Sequence, residues 1–419
     1  MRPAPWSCHP TRPERVRQGK PLPLAPGSWL AVLGGGQLGR MFCMAAQSMG
    51  YRVCVLDPAA DSPAGAVADR HLCANYDDPA ALADIARTCA AATTEFENVP
   101  AQALLALAEH MHVAPSAQAV AIAQDRVAEK TFLQAAGLPV GEYAVIRTAA
   151  DLATAPAHLF PGILKLARLG YDGKGQIAIA NQQEGGAAWA HLTAGSPALA
   201  CVLERRLNLA CEVSVMIARG HDAAMVTWPI ARNVHRNGIL ATSTIPAAID
   251  AAIERAALEM ARQIAQSLQY VGVLGVECFV LPDGSLRINE IAPRPHNSGH
   301  WTLDAALTSQ FEQQVRTLAG LPLGATTLLA PAVMLNILGD SWYDRGDPPP
   351  PSDAALTTAL VSEPDWVAVL SHPNAKLHLY GKAQPRLGRK MGHVTALGTV
   401  ATDPAQTIQD IARVLHAPI

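Results

Sequence analysis

A short apolar run, Trp29–Leu33, breaks into three consecutive glycines, Gly34-Gly35-Gly36, and then into a helical stretch from Gln37 to Met49. This order predicts a buried strand, a tight turn and a helix whose first amides are offered to an anion. A second strand pattern, Arg52–Leu56, stops at Asp57-Pro58, and the alternation continues through Ala91–Thr94 and a helix after Pro100. Strands alternating with helices demand a parallel sheet, so the chain opens with a Rossmann-like α/β layer. Gly34-x-Gly36-x-x-Gly39, with Asp57 after the next strand, also satisfies the dinucleotide fingerprint. Alone it points to a nicotinamide- or flavin-dependent oxidoreductase. Any other anion, or a tight turn with no ligand, fits the same spacing.

The rest of the chain narrows the choice. Gln118–Ala136 predicts one long helix ending at Gly137, with Pro139 just beyond. Tyr143 to about Thr244 reads as strands broken by one helix near Gln182–Leu192. A second long helix, Ile249–Leu268, precedes a hairpin of Val271–Leu281 and Ser285–Ile291 turning at Asp283-Gly284. The prolines at 348–351 read as a linker, followed by short strands of a small β-rich C-terminal domain.

At roughly 100–200 residues per domain, 419 residues allow two to four domains. Half the residues are hydrophobic and 16% charged, enough for large cores. A formal charge of −3 argues against a generic nucleic-acid binder. No apolar run approaches the ~20 residues that span a bilayer. The eight cysteines contain no C-x-x-C pair, which suits a reducing compartment. Residues 1–27, rich in Pro and Arg, show no apolar periodicity and read as a disordered tail, with the fold beginning near Trp29.

Two further segments carry chemistry. Lys165 stands on a strand that leads into Gly170-Tyr171-Asp172-Gly173-Lys174-Gly175-Gln176, and a second strand follows. This is no Walker A loop, because Gly175 follows Lys174 and no helix succeeds it. A glycine-rich turn between antiparallel strands can instead fold over phosphates as a lid, its amides and Lys174 supplying donors and charge. The hairpin offers the second segment. With Asp283-Gly284 as the two central turn residues, Ser285 pairs with Pro282, and counting outward sets Glu277 opposite Glu290. Phe279, Leu281, Leu286 and Ile288 are then expected on the same face. Two carboxylates ~5 Å apart over an apolar surface repel each other, and a shared divalent cation resolves the conflict. Oxygen ligands favour Mg²⁺, whose shell nucleotide phosphates and water can complete, with Mn²⁺ as the alternative.

Lys165, the Gly170–Gln176 loop, Glu204, Glu212, Glu277 and Asn289-Glu290 together resemble the nucleotide site of the ATP-grasp enzymes. Asn289-Glu-Ile-Ala-Pro-Arg-Pro-His-Asn-Ser-Gly-His-Trp-Thr302, Gly36-Gln-Leu-Gly-Arg40 and Gly388-Arg-Lys-Met-Gly-His393 resemble the 5-(carboxyamino)imidazole ribonucleotide synthases within that superfamily. The resemblance runs from about Trp29 to the end. It implies a Rossmann-like pre-ATP-grasp domain over 28–125, an ATP-grasp domain over 126–322 with a lid subdomain at about 138–207, and a β-rich domain over 323–419. It implies that Arg126, Lys165, Gly170, Tyr171, Asp172, Gly173, Lys174, Gly175, Gln176, Glu204, Arg205, Arg206, Leu207, Glu212, His235, Asn289 and Glu290 contact ATP. Glu277 and Glu290 would hold the metal. Arg294, His296 and Lys174 are the implied catalytic groups. Gly36, Gln37, Leu38, Asn297, Ser298, His300, Lys382 and Arg389 would bind the acceptor. The implied reaction joins bicarbonate to 5-aminoimidazole ribonucleotide through carboxyphosphate, in a cytoplasmic homodimer. The His296–His300 and Arg386–His393 segments argue against formate-dependent glycinamide ribonucleotide transformylase and biotin carboxylase. The resemblance also gives the first glycine motif to the acceptor and leaves no need for a dinucleotide.

Overall fold

The structure, a computed structural model, describes residues 22–168, 170, 175–194, 199–343 and 362–419. Its first layer runs β1 (Trp29–Leu33), α1 (Gln37–Ser48), β2 (Arg52–Leu56), β3 (Arg70–Leu72), α2 (Pro79–Thr88), β4 (Ala91–Thr94), α3 (Ala101–Ala108), β5 (His112–Val113) and α4 (Ala117–Ala123). The strands form a parallel sheet in the order β3-β2-β1-β4-β5. Parallel strands are covered on both faces, which is why β1 reads as an unbroken apolar run. Leu30 and Val32 pack with Phe42 and Leu318, while Ala31 and Leu33 pack with Leu104 and Val120 on the other side.

The expected tail extends too far into the fold. Residues 1–21 lie outside the described residues, but Leu24 is buried, its amide donates to the Ala319 carbonyl (2.8 Å) and its carbonyl accepts from the Tyr51 hydroxyl (2.7 Å). A proline-rich segment can be ordered by two such anchors without any helical or strand period. A chain starting at Leu22 should therefore match the full-length protein in melting temperature and turnover. One starting at Trp29 forfeits the burial of Leu24, about 2 kcal/mol, and should melt a few degrees lower. Equal melting of the two shortened chains would count against the anchor.

The expected helix over Gln118–Ala136 is two helices. α4 stops at Ala123, and Asp125 caps α5 (Arg126–Ala135) by accepting from the Val127 and Ala128 amides. The apolar period continues through the break and hides it. Gln124 sits in the break, its side-chain amide donating to the Glu97 and Val99 carbonyls. The new helix start puts Arg126, Glu129 and Lys130 on one face.

β6 (Tyr143–Ile146), α6 (Ala149–Ala153), β7 (Gly162–Leu166), β8 (Gln176–Ile179), α7 (Gly185–Thr193) and β9 (Cys201–Arg205) build a small antiparallel sheet in the order β6-β9-β7-β8. The central sheet draws on β10 (Cys211–Arg219), β11 (Met225–Thr227), β12 (Ala231–Arg236), β13 (Ile239–Ile245), β14 (Gly272–Val280) and β15 (Leu286–Ala292), with α8 (Ala251–Ser267) on one face. α9 (Thr302–Ala305) and α10 (Gln310–Ala319) follow, then β16 (Ala332–Leu338), α11 (Trp366–Leu370), β17 (Ala375–Leu379), β18 (Lys390–Leu397) and α12 (Pro404–Val414). The prolines at 348–351 lie outside the described residues. The C-terminal strands do not make a sheet of their own. β16 pairs with β13, from Thr242↔Leu335 to Ile245↔Ala332, and the sheet continues as β15-β14-β10-β12-β13-β16-β18-β17.

The hairpin reaches the expected pairing by a different route. Leu281, not Pro282, pairs with Ser285, leaving a three-residue loop closed by Gly284 at φ +81°. That shifts β14 and β15 by one residue, giving Val280↔Leu286 and Phe279↔Arg287. A bulge at Asn289 shifts them back, and Glu277 faces Glu290. Between turn and bulge the faces are therefore exchanged on β15. Leu286 and Ile288 enter the core beneath α8, while Arg287 stands opposite Phe279.

Candidate active site

At the first glycine turn the anion seat is taken by the chain itself. Glu95 accepts from the Gly36 amide (2.7 Å) and the Gly39 amide (2.8 Å), where a dinucleotide diphosphate would sit. Burial raises the Glu95 pKa, while these two amides oppose the rise. Asp57 is likewise committed, accepting from the Gly35 amide (2.7 Å) and the Tyr76 hydroxyl (2.6 Å). The oxidoreductase reading fails on these bonds. Beside the turn lies a cavity of about 450 Å³, a size that suits a small ligand, with Gly36 and Gln37 on one side and Lys382, Arg386 and Arg389 on the other. Leu38 turns away from it and is buried with Met41, Phe311 and Tyr380.

A second cluster spans the small and central sheets. α5 reaches both: Arg126 pairs with Glu290 on β15 (3.0 Å), Glu129 accepts from the Ile291 amide (2.5 Å), and Lys130 lies 3.3 Å from Glu204 on β9. Lys165 on β7 donates to the other Glu204 oxygen (3.1 Å). Against the cost of burial, Lys165 and Lys130 hold the Glu204 carboxyl down at about 2. Lys130 also sits 5.5 Å from the centre of the Tyr143 ring, a cation–π contact. Burial pushes Glu129 up to about 8, with Arg126 opposing and Glu290 reinforcing the rise. Arg205 is exposed and pairs with Glu142, Arg206 is exposed with its amide bound to the Pro161 carbonyl, and Leu207 is half-buried. Glu212 on β10 lies 2.8 Å from His235 Nδ1 on β12. Gly175, at φ +73°, ends the glycine-rich loop, an added Cβ there meeting Gly170 at 3.5 Å, and Gln176 pairs with Lys165. Tyr171, Asp172, Gly173 and Lys174 lie outside the described residues.

The carboxylates form the third cluster. Asn289, thrown onto their face by the bulge, donates to Glu277 (3.2 Å). Burial, then the Glu290 charge, pushes Glu277 up to about 7. His296 Nε2 lies 3.3 Å from Glu277, and its ring packs over Gly275, where a Cβ would stand 2.8 Å from His296 Cβ. Its Nδ1 meets the Ser298 hydroxyl (2.8 Å), itself bonded to Ser214 (2.7 Å). Burial and then the Arg294 charge hold His296 well below the usual imidazole range. Arg294 Nε donates to Glu97 (2.5 Å), and against burial this partner keeps Glu97 at about 2. Asn297 exchanges amide bonds with Asn336 (2.9 Å each way). His300 is fully buried between Phe311, Tyr380 and His393, so its ring is not part of the cavity wall.

Glu277 and Glu290 offer a pair of oxygen donors whose mutual repulsion a divalent cation would relieve, so the chemistry fits Mg²⁺ completed by phosphates and water. Among the described residues no group of three or more His, Cys, Asp or Glu is placed to hold a metal ion. Glu95, Glu97, Glu129, Lys130 and Ser214 escaped the sequence reading. Only the i, i+3, i+4 spacing of Arg126, Glu129 and Lys130 could have flagged any of them. No described helix is long and apolar enough to cross a membrane.

Three family descriptions match the chain: "Ribonucleotide synthetase preATP-grasp domain" over residues 28–124, "ATP-grasp domain" over 131–311, and "Phosphoribosylaminoimidazole carboxylase C-terminal domain" over 332–407. The chain is 45% identical over 376 residues to the N5-carboxyaminoimidazole ribonucleotide synthase of Brucella melitensis, covering 89% of this chain and 97% of that protein. Among solved structures it resembles the N5-carboxyaminoimidazole synthetase of Staphylococcus aureus complexed with ADP (36% identity, TM-score 0.81, 96% and 100% of the two chains). It also resembles the Aspergillus clavatus enzyme in complex with ADP and 5-aminoimidazole ribonucleotide (31% identity, TM-score 0.80, 93% and 99%).

Proposed function

The chain belongs to the N5-carboxyaminoimidazole ribonucleotide synthases, ATP-grasp ligases of purine biosynthesis, and on that premise we propose how its residues divide the reaction. It carboxylates 5-aminoimidazole ribonucleotide (AIR) in an ATP-dependent step that forms a carbon–nitrogen bond and yields N5-carboxyaminoimidazole ribonucleotide, ADP and phosphate. What supports the division is a set of pairs joined by short steps along the chain. Glu97 pairs with Arg294, His296 with Glu277, and Glu277 faces Glu290, and Glu97 lies two residues along the chain from Glu95 on the cavity wall.

Bicarbonate is the proposed carboxyl source, and because it is a poor electrophile ATP first converts it to carboxyphosphate. Lys165 and Lys174 are the cations proposed for the phosphates, where fixed charge acts most strongly with water excluded. Mg²⁺ or Mn²⁺, held by Glu277 and Glu290, would neutralise charge on the transferring phosphoryl group. Glu204 to Leu207 would present the adenine edge, and Glu212, steadied by His235, would accept from the ribose hydroxyls. Arg294 and His296 border the bicarbonate. As the exocyclic amine of AIR attacks the carboxyl carbon of carboxyphosphate, phosphate leaves and the amine loses a proton; His296, its Nδ1 accepting from the Ser298 amide (3.3 Å) and its Nε2 facing Glu277 (3.3 Å), is the group proposed to orient that attack. Lys382, Arg386 and Arg389, on the cavity side opposite Asp57, Asp61 and Glu95, are the cations proposed for the ribose phosphate. The resemblance further supports a cytoplasmic homodimer.

ADP release tests this division. It should be fast only when AIR and bicarbonate are offered together with Mg-ATP, and slow with either alone. ADP release indifferent to AIR would overturn the assignment of the basic cavity.

A further inference from the structure

The loop that carries His296 is clasped by one buried amide. Gln310, the first residue of α10, is fully buried. Its Oε1 accepts from the His296 amide (2.9 Å), and its Nε2 reaches both the His296 carbonyl (2.9 Å) and His300 Nδ1 (3.0 Å). The direction of every bond is determined. A backbone N–H can only donate, so the Gln310 atom facing it is the oxygen. The other atom is then the NH₂, with one proton for the His296 carbonyl and one for His300. His300 Nδ1 must therefore be a lone pair, and its ring proton sits on Nε2. Burial, reinforced by His393, keeps that ring well below the usual imidazole range and so neutral. The approach is close enough that a Cβ on Gly299 would stand 2.5 Å from Gln310 Oε1, which accounts for a glycine between Ser298 and His300. α10 itself is tied to the loop, the Gln310 amide donating to Thr302 Oγ1 (3.0 Å) and that hydroxyl to the Gly299 carbonyl (2.6 Å).

We propose that Gln310 is a positioning residue for the carboxylation: it fixes the peptide of His296 over Glu277 and sets His300 as the Nε2–H tautomer. The proposal rests on the role given to His296. A glutamine so placed converts the rigidity of α10 into the orientation of a ring that has to meet substrate. Misplacing that ring by about 1 Å costs roughly 10²-fold in rate.

The test uses the full chain labelled with ring-¹⁵N histidine, the His300 signals being identified by their loss in His300→Asn. In the unsubstituted protein His300 should show the Nε2–H pattern, and an Nδ1–H or doubly protonated ring would overturn the proposal without any variant having to fold. Gln310→Met should lower kcat by roughly 10²-fold while the KM for ATP stays within about twofold, since the partners Gln310 bonds among the described residues, His296, His300 and Thr302, are not the groups assigned to the nucleotide. Folded Gln310→Met with normal kcat would overturn the positioning role. If His296→Ala also turns over normally, the role of His296 falls with it. If His296→Ala is impaired while Gln310→Met is not, only Gln310 is mistaken.

Discussion

Glu290→Gln should cut AIR-dependent ADP release by roughly 10²–10³-fold, the loss typical of one key electrostatic stabiliser, while leaving the nucleotide-free protein nearly as stable as before. The near-neutral stability follows from two opposed changes. Neutralising Glu290 relieves Glu277, which burial and its neighbour hold at about 7, and it also removes the partner of Arg126 at 3.0 Å. The Glu290 side chain is 35% exposed, so that pair is worth at most about 1 kcal/mol. Mg-ATP at a hundred times its dissociation constant stabilises a protein by about 2.7 kcal/mol, and the variant should lose most of this. Melting temperature and ADP release across a Mg²⁺ titration decide the matter. An unstable variant with normal magnesium-dependent turnover would remove Glu290 from the metal site.

Arg294→Met should be the most destabilising of the site substitutions. Glu97 is held at about 2 by Arg294, and without it a half-buried carboxylate is left unpaired, a loss of at most about 3–5 kcal/mol. The pH dependence has a definite sense. A carboxyl depressed from about 4.5 to about 2 in the folded state adds stability that is complete above pH 4.5 and disappears as pH falls toward 2. At about 1.4 kcal/mol per pKa unit this contribution is roughly 3 kcal/mol. In Arg294→Met only a backbone hydrogen bond and His296 are left to oppose burial at Glu97, so most of this acid-sensitive contribution should vanish from the pH profile. Adding Glu97→Gln should restore most of the melting temperature but not the turnover. Recovery of turnover in the double variant would show that Arg294 only neutralises Glu97.

The strands and the opening turn were legible because they are local: an apolar run buried on both faces, then glycines at a turn, leave few alternatives. The facing of Glu277 and Glu290 was legible by a cancellation. Asp-Gly was read as a two-residue turn but closes a three-residue loop, and the bulge at Asn289 restores the count. Nothing local announces a bulge, so the error surfaced only in Leu286 and Ile288, which face the core. The break at Asp125 was missed because apolar spacing runs through it, although Asp125 is itself a good cap.

Side chains that answer distant partners were the harder part. Glu129 and Lys130 look like the solvated face of an amphipathic helix until β9 and β15 close over them. Glu95 and Glu97 follow a strand and look like loop carboxylates. Gln310 resembles any helix-start glutamine, and its meaning lies in a loop 14 residues away. The resemblance implied His300 and Leu38 at the acceptor; the structure buries the His300 ring and packs the Leu38 side chain with Met41, Phe311 and Tyr380.

The pairing of β13 with β16 carries the ladder of hydrogen bonds from the facing carboxylates Glu277 and Glu290 to the strands next to Lys382 and Arg389. Detaching the C-terminal strands would strip a whole edge of β13 of its partners, so this segment cannot melt as a separate module. Calorimetry should resolve one transition for the central and C-terminal strands together. The same continuity makes the last ninety residues a poor unit for transplantation into another ligase, because a recipient would need an open strand of matching register to receive them.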